Sequence, residues 1–555
     1  MKVCIIGGVA GGATAAARLR RLDEKAQIVM FERGEYISFA NCGLPYHVSG
    51  RIRERKSLLL QTPESLWARF RIEVRVGNEV LAIDRERKQL RVRNLKTGQE
   101  YSEPYDYLVL APGAYPLVPK ISGNDSPMFL TLRDIPDMDA VMARIQRHDV
   151  RSAVVIGGGF IGLEIAENLV ARDIQTHLVE MLDQVMAPFD PEMAGIIQAR
   201  LVRGSIRLHL SESVQSIEGD GEGEGEVTLG SGTKLPAQLV ISAAGIRPDS
   251  KLAREAGLTT GPCGGIVVDA HMRTSDPAIY AVGDAVETTH LVGGVSVLVP
   301  LAGPANKQAR VAADNICGLP SGYPGSLGTS IVKVFDLQAA VTGLNEKTAK
   351  RNNLAYQAVH LHPLSHANYY PGATMLNMKV LFEVPSGRIL GAQCIGEEGV
   401  DKRIDVIATA IRAGLTVSDL GQLELSYAPP FSSAKDPVNM AGFVGSNILR
   451  GLVKSVTYPE VAEMQDPFIL DVRPKAEFDA GSIPRSVNIP REELRDRIGE
   501  VPRDRDIVVS CRTGIASYSA CRILKQMGFE RLSNFSGGYI TYGHYTANAG
   551  RKDTV

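Results

Sequence analysis

The chain twice repeats one pattern, and this repeat constrains its fold more than any other feature. Each copy has an apolar strand, a glycine-rich turn, a helix and a second strand that ends in an acid. The first copy runs from the apolar residues 3–6 through Gly7 and Gly12 to Glu32. Glycine permits the tight turn and close helix packing, the helix N-terminus faces a pyrophosphate, and the acid binds a ribose hydroxyl. Although Val9 occupies the usual middle-glycine position, the register of all four parts predicts a dinucleotide-binding fold.

The second copy carries every glycine of this fingerprint, at Gly157, Gly159 and Gly162, and its second strand ends at Glu180. An acid at that position disfavours a ribose 2′-phosphate, so we expect NADH rather than NADPH. The alternative is a strand–helix–strand unit without a nucleotide, which is the weaker interpretation of a complete fingerprint. Glu164, just inside the helix, either faces the nicotinamide or simply favours the helix N-terminus.

Composition limits the size, partners and location of the protein. A chain of 555 residues suggests about three to four domains. The net charge of -1, without a basic arm, argues against nucleic acid and membrane surfaces as partners. No apolar run approaches the roughly 20 residues that span a bilayer, and the N-terminus lacks a signal-peptide pattern, so we expect a cytoplasmic protein. The 7 cysteines are scattered without C-x2-C pairs, so neither a structural disulfide nor a metal site is expected.

Two dinucleotide folds imply one fixed and one exchanging cofactor. Four further stretches, at residues 108–113, 239–245, 279–284 and 300–305, complete a resemblance to two-dinucleotide-domain flavoproteins, in which an NAD domain interrupts an FAD domain. The resemblance implies that Asp284 contacts the ribityl chain, although an ordinary Gly-Asp turn is the plain alternative, and that the helix after Pro300 points at the flavin pyrimidine. The implied cofactor-binding residues are Gly7, Gly12, Glu32, Arg33, Ala111, Gly113, Gly157, Gly159, Phe160, Ile161, Gly162, Glu180, Gly245, Asp284, Pro300 and Ala302.

A single cysteine, Cys42, lies in the stretch 38–47, shortly after the first dinucleotide pattern. In flavoprotein disulfide reductases the corresponding helix carries two cysteines, and His47 occupies the position of the second one here. A lone thiol cannot form an internal disulfide, so its redox chemistry must pass through a mixed disulfide, a charge-transfer thiolate or a sulfenate. The plain alternative is a buried, inert cysteine. The neighbouring cofactor motifs favour the redox role.

Residues 323–444 lack a nucleotide fingerprint and resemble the homodimer interface domain of these flavoproteins. Tyr369 and Tyr427 lie beside turn residues there, and with the single cysteine they resemble the coenzyme A disulfide reductase subfamily. This resemblance implies that the tyrosines reach the redox thiol of a partner subunit, where their hydroxyls stabilise a departing thiolate; packing of the interface is the plain alternative. It also implies coenzyme A contacts, although arginines at a helix end are common on any solvated surface. These contacts are Thr14, Arg18, Arg21, Ser38, Asn41 and Lys435.

The C-terminal part of the chain resembles a rhodanese domain. The strand at residues 507–510 leads into Cys511, a short loop and then a helix. Such a loop turns backbone N–H groups toward the cysteine and, with the helix dipole and Arg512, favours a thiolate or a persulfide. A rhodanese-like phosphatase and an inactive docking module are the alternatives, and Cys521 is expected to be a packing residue. The predicted loop consists of Arg512, Thr513, Gly514, Ile515 and Ala516.

These features predict an α/β chain with two Rossmann-like domains, an α+β dimerisation domain and a C-terminal α/β rhodanese domain. The expected boundaries are 1–115 and 250–322 for the FAD domain, 116–249 for the NAD domain, 323–444 for the dimerisation domain, 445–456 for a linker and 457–548 for the rhodanese domain.

The resemblance implies an FAD-dependent NADH oxidoreductase that reduces persulfide, polysulfide or disulfide S–S bonds, those of coenzyme A in particular, through Cys42. Cys511 would handle sulfane sulfur. Two other functions stay open: an NADH oxidase or peroxidase that cycles Cys42 through a sulfenate, and a sulfur carrier whose reductase part regenerates Cys511.

Overall fold

The computed structural model describes residues 1–147, 149–219, 223 and 225–549. They form two compact units, one of residues 1–183 with 204–326, the other of residues 184–203 with those from 327 onward. The first unit contains both glycine-rich patterns and Cys42, and the second contains Tyr369, Tyr427 and Cys511. No helix among the described residues combines the length and the apolar character that crossing a bilayer requires.

Two five-stranded parallel sheets form the centre of the first unit. The middle strand of each sheet is apolar and almost entirely buried, as expected for a parallel strand covered on both faces. In spatial order the first sheet contains Ile279–Ala281, Tyr107–Leu110, Lys2–Ile6, Gln27–Glu32 and Glu73–Val76, and the second contains Arg207–Leu210, Gln175–Glu180, Ser152–Ile156, Leu239–Ser242 and Phe129–Thr131.

Helices follow the glycine turns of both sheets. Helix Ala10–Leu22 packs closely against helix Ala302–Ile316, because glycine and alanine residues line its buried side. The other helices of this unit are Leu44–Val48, Pro63–Phe70, Ile135–Arg147, Phe160–Val170 and Lys251–Glu255, with 3-10 turns at Asn41–Gly43, Arg55–Leu58 and Gly283–Ala285.

Smaller sheets complete the first unit. Three of them have three strands each and one has two. They contain Asn78–Asp84, Gln89–Asn94 and Glu100–Pro104; Val214–Glu218, Gly225–Leu229 and Lys234–Ala237; Ile266–Val267, Val286–Thr289 and Ser296–Leu298; and Ile246–Pro248 with Ala114–Pro116.

The second unit begins with helix Pro191–Arg203 and an antiparallel five-stranded sheet. Every residue of its central strand, Ile389–Gly396, is buried, and helix Val400–Ala413 packs on that strand. In spatial order the sheet contains Ser330–Val334, Leu337–Gly343, Ile389–Gly396, Asn377–Glu383 and Tyr356–Leu361, and the remaining helices of this part are Glu346–Arg351, Val417–Leu420 and Pro437–Leu449.

The connector is shorter than the sequence suggested. Helix Pro437–Leu449 occupies the first half of the region assigned to a linker at 445–456, and strand Lys454–Val456 occupies its end. Asp436 caps this helix by accepting the Val438 N–H at 2.9 Å, and Pro437 stands at its first position. Residues 450–453 alone separate the helix from the next sheet.

The C-terminal sheet has five parallel strands. Its central strand, Ile507–Ser510, is completely buried and ends next to Cys511. In spatial order the sheet contains Lys454–Val456, Leu532–Phe535, Ile507–Ser510, Phe468–Asp471 and Val487–Asn488, and its helices are Tyr458–Glu463, Lys475–Asp479, Ile515–Gln526 and Gly538–Ala549, with a 3-10 turn at Ile498–Glu500.

Candidate active site

The first glycine turn has the shape that a dinucleotide requires. Gly7 has a φ of +94°, and a Cβ atom there would lie 2.1 Å from the carbonyl oxygen of Ala111. At Gly12 a Cβ would lie 1.8 Å from the Gly7 oxygen, so neither position accepts a side chain. The Glu32 carboxylate is oriented by two backbone donors, Gly8 N–H at 2.9 Å and Gly34 N–H at 2.8 Å.

A cavity of about 180 Å³ lies beside this turn. Gly7, Glu32 and Arg33 line it together with Pro112, which stands between the predicted residues Ala111 and Gly113. Arg33 lies 3.5 Å from Asp249, a carboxylate that sequence analysis did not single out. The glycine cradle, the oriented acid and the cavity fit the adenosine half of an FAD molecule.

The second glycine turn repeats this geometry. Gly157 has a φ of +108°, and a Cβ there would lie 2.3 Å from the Ala243 oxygen. Glu180 accepts the Gly158 N–H at 2.6 Å and the Leu182 N–H at 2.9 Å, as Glu32 does in the first turn. No side chain caps helix Phe160–Val170 at Gly159, which leaves an N-terminus suited to an anion. Gly162 packs against the Gly157 oxygen. Among the other predicted residues, Ile161 is exposed, and Gly245 follows the neighbouring strand with a φ of +109°.

Asp284 pairs with an arginine that sequence analysis missed. Its carboxylate lies 3.7 Å from the Arg133 guanidinium, which also donates to the Ala114 carbonyl at 2.9 Å. Burial raises the pKa of Asp284, and Arg133 opposes this shift. No local pattern marks Arg133, because the fold alone brings the end of the second sheet to Asp284. Pro300 and Ala302 are exposed at the uncapped start of helix Ala302–Ile316.

Cys42 is an exposed, unpaired thiol in the turn Asn41–Gly43. Its backbone N–H donates to Asn41 Oδ1 at 3.2 Å, and its Sγ lies 3.9 Å from the same oxygen. Although its surface is accessible, partial desolvation raises the pKa of the thiol, and the charges of Glu164 and Asp284 raise it further. All 7 cysteines are free thiols, and the Nδ1 atom of His47, at the position of the missing second cysteine, lies 2.7 Å from the Ile52 carbonyl oxygen.

Glu164 connects the nucleotide helix to the helix that follows Cys42. Its carboxylate accepts a hydrogen bond from the Tyr46 hydroxyl at 3.3 Å. Burial raises the pKa of Glu164 to about 7, while the Tyr46 hydrogen bond opposes the rise. The carboxyl group therefore carries a proton part of the time near neutral pH, close enough to Cys42 to influence the thiol electrostatically. Tyr46 was not predicted, because nothing in the sequence relates it to Glu164.

The residues predicted to contact coenzyme A are only partly grouped. Ser38 and Asn41 lie in the loop of Cys42, and Ser38 has a positive φ of 43°. Thr14 donates to Asn306 at 2.6 Å. Arg18 forms an ion pair with Asp314 at 2.7 Å, and Arg21 stacks over the Phe70 ring at 5.2 Å, so both arginines already have partners. In the second unit, Lys435 is exposed.

Tyr369 and Tyr427 are brought together. Although 58 residues separate them in the sequence, their hydroxyl groups share a hydrogen bond of 2.7 Å. Both side chains are exposed. Phe431 is 71% exposed in the same part of the chain. A surface with this many accessible aromatic rings is typical of a protein interface.

The C-terminal loop surrounds the Cys511 sulfur with donors. Gly514 N–H donates to Sγ at 3.1 Å, and the Ser517 hydroxyl lies 3.3 Å from it. Gly514 has a φ of +95° and begins helix Ile515–Gln526. Cys511 is 4% exposed, whereas Arg512 and Ile515 are exposed and Thr513 and Ala516 are half-buried. Sequence analysis did not include Ser517. Burial raises the pKa of Cys521 to about 12, in agreement with a packing residue.

The matches to known families agree with this geometry. Residues 1–313 match the pyridine nucleotide-disulphide oxidoreductase family, residues 329–437 match the dimerisation domain of that family, and residues 457–542 match the rhodanese-like domain. The chain belongs to the pyridine nucleotide-disulphide oxidoreductase family.

Relatives cover either the reductase part or the whole chain. Coenzyme A disulfide reductase of Staphylococcus aureus is 36% identical over 443 residues, which are 80% of this chain and 99% of that protein. The crystal structure of reduced CoADR-RHD of Bacillus anthracis is 49% identical with a TM-score of 0.96 and covers 98% of both chains. The NAD-dependent persulfide reductase of A. fulgidus is 40% identical with a TM-score of 0.91 and covers 98% of this chain and 100% of its own.

These findings confirm the predicted family and fold class. The chain is a flavoprotein oxidoreductase of a family that uses FAD and a pyridine nucleotide, and it carries a dimerisation domain and a rhodanese domain.

Proposed function

We propose that this protein is an NADH-dependent reductase of persulfide or disulfide S–S bonds, with coenzyme A persulfide and coenzyme A disulfide as the favoured substrates. The observation that carries the proposal is the exposed thiol of Cys42, which has no cysteine partner because position 47 is a histidine, on a chain that also holds the Cys511 loop. A coenzyme A disulfide reductase and a persulfide reductase among the relatives support it.

The reaction on a persulfide balances as NADH + H⁺ + RSSH → NAD⁺ + RSH + H₂S. FAD, when bound, supplies the electron pair that originates from NADH. The Cys42 thiolate attacks the substrate and its S–S bond breaks: attack on the outer sulfur leaves a persulfide on Cys42 and releases RSH, whereas attack on the inner sulfur leaves a mixed disulfide and releases sulfide. Two electrons and protons then cleave the new S–S bond, which releases the second product and restores the Cys42 thiol. Because the pKa of the Cys42 thiol is raised, the thiolate forms readily only when a positive charge or hydrogen-bond donors of the bound cofactor or substrate stabilise it. We assign to Glu164, whose pKa burial raises to about 7, the role of taking up the proton that the thiol loses.

Residue roles follow from this assignment. Glu32, Arg33 and Asp284 contact FAD, and Glu180 favours NADH over NADPH because its carboxylate would repel a 2′-phosphate. Ser38, Asn41 and Lys435 contact coenzyme A. Arg18 is a weaker candidate for phosphate binding, since Asp314 already neutralises it.

We also propose a cytoplasmic homodimer. The exposed tyrosine pair and Phe431 supply an aromatic surface for a second copy, and 7 free cysteines suit a reducing compartment. Analytical ultracentrifugation of the holoenzyme tests the dimer, since a monomer at micromolar concentration would contradict it.

Anaerobic NADH consumption tests the substrate. We expect turnover with coenzyme A persulfide and coenzyme A disulfide, and we expect Cys42→Ser to abolish both. Cys511→Ser should spare these small acceptors and abolish sulfur transfer from thiosulfate. Cys263→Ser, which removes another exposed thiol, is the matched control and should behave as wild type. Faster turnover with hydrogen peroxide or oxygen would instead favour an oxidase or peroxidase, and equal loss in both variants would refute the division of work between Cys42 and Cys511.

A further inference from the structure

Two histidines of the dimerisation domain contact the rhodanese domain within the second unit. The Ser536 hydroxyl oxygen accepts the backbone N–H of His360 at 3.0 Å and lies 3.0 Å from the His360 Nδ1 atom. The Thr541 hydroxyl lies 2.8 Å from Nε2 of His362. We call these four residues the docking seam.

A buried charge centre fixes the histidine side of the seam. His360 Nε2 lies 2.9 Å from Glu192, whose carboxylate is 2.5 Å from the Lys379 ammonium group. Lys379 is completely buried and also contacts Asp190 at 2.9 Å and Glu346 at 2.6 Å. Buried ion pairs are costly to break once formed, so this side of the seam has one well-defined geometry.

His362 has a defined donor pattern. Its Nδ1 lies 2.9 Å from the Asn377 side-chain oxygen, which only accepts. Nδ1 therefore donates, and Nε2 accepts a hydrogen bond from the Thr541 hydroxyl. Thr541 is 1% exposed, so replacing its hydroxyl with a methyl group would leave the Nε2 atom of the half-buried His362 without this hydrogen bond.

Ser536 and Thr541 bracket the residues that support the sulfur loop. Tyr539 N–H donates to the Cys511 carbonyl at 2.7 Å, and Ile540 N–H donates to the Arg512 carbonyl at 3.1 Å. A Cβ atom on Gly538 would lie 2.3 Å from the Cys511 oxygen. The backbone that holds the Cys511 loop on one side is thus tied to the docking seam on both ends.

We propose that Ser536 and Thr541 are positioning residues through which the dimerisation domain fixes the Cys511 loop. The proposal rests on the assignment of Cys511 as the sulfane-sulfur cysteine. The seam keeps the rhodanese domain in one orientation and keeps the Cys511 and Arg512 carbonyl groups paired, which sets the direction of the donors around the sulfur.

Thr541→Val tests this in the full-length holoenzyme, with Thr541→Ser as the matched control that retains the hydroxyl. We expect Thr541→Val to speed hydrogen exchange of the Tyr539 and Ile540 amides about tenfold. It should lower kcat for thiosulfate–cyanide sulfur transfer with little change in the KM for thiosulfate. Thr541→Ser should restore both values, and NADH-dependent reduction of coenzyme A disulfide should stay at the wild-type rate in both variants.

Unchanged exchange at Tyr539 and Ile540 in Thr541→Val would overturn the proposal, and so would equal effects of the valine and serine variants. If Thr541→Val does not fold, Ser536→Ala removes the other hydroxyl of the docking seam and is expected to speed the same two amides. A wild-type enzyme without sulfur-transfer activity would refute the assignment of Cys511, whereas the exchange measurement would still report on the seam.

Discussion

Lys379→Met offers the sharpest test of the buried charge centre. The variant keeps the unbranched side chain as far as Cε but leaves Asp190, Glu192 and Glu346 without the ammonium group that lies within 2.9 Å of each. Removing one member of a buried ion pair costs about 3–5 kcal/mol. At about 1.4 kcal/mol per factor of ten, amides of the strand Asn377–Glu383 should exchange about two to four orders of magnitude faster.

The pH dependence of stability gives a second, independent test of Lys379→Met. Burial alone would raise the pKa of Glu192, but Lys379 and His360 hold it below its ordinary value. In the wild type this stabilisation is present above the unfolded pKa of about 4.3 and is lost as the pH falls. Without Lys379, burial dominates and the pKa values of the three carboxyl groups rise, so these groups take up protons as the pH falls. The loss of stability of Lys379→Met relative to the wild type should therefore be larger at pH 8 than at pH 5.

Hydrogen exchange followed by mass spectrometry at both pH values measures these effects. Lys475→Met, which removes the exposed pair with Asp479, is the control, and it should change local stability by less than about 1 kcal/mol. An acceleration in Lys379→Met of less than fivefold, or one that is the same at pH 5 and pH 8, would refute the reasoning.

Two further predictions concern titrating groups. Because the Glu164 charge raises the pKa of Cys42, Glu164→Gln should move the pH profile of Cys42 alkylation by iodoacetamide to lower pH in the holoenzyme, whereas the exposed Glu255→Gln should not; an upward or absent shift in Glu164→Gln would contradict this. Burial, together with the neighbouring His544 and His360, lowers the pKa of His362 to about 3, while hydrogen bonds with Asn377 and the Gly537 backbone oppose the shift. The unfolded pKa is about 6.5, so the stability of the second unit should fall below that pH, by at most about 2 kcal/mol at pH 5 from this group. Thermal unfolding of the wild type and of His362→Gln between pH 7.5 and 5 checks this, and equal slopes would show that His362 does not contribute.

The sequence predicted best what depends on local pattern. The strands before Gly7 and Gly157, the acids Glu32 and Glu180 and the Cys511 loop all follow from short stretches in which each residue type has one physical reason. The helix Pro437–Leu449 was missed although Asp436 and Pro437 form a recognisable helix start.

Contacts between distant segments could not be predicted. Arg133 reaches Asp284, Tyr46 reaches Glu164, and Arg18 reaches Asp314 only because the sheets bring separate segments together. The same holds for Lys379, whose sequence surroundings read as an ordinary strand. The sequence pointed to Asp284, Glu164 and Arg18 by local pattern, but a local pattern around one partner carries no information about which distant residue it meets.

The hydroxyl groups of Ser536 and Thr541 also restrict which rhodanese domains could replace the one in this chain. A rhodanese unit taken from another protein could be joined after residue 453 and fold correctly, yet it would present His360 and His362 with mismatched partners unless it offered hydroxyl side chains at both places. Replacing the C-terminal domain, in evolution or in the laboratory, therefore requires matched changes on both sides: in the dimerisation-domain strand that carries His360 and in the rhodanese helix that carries Thr541.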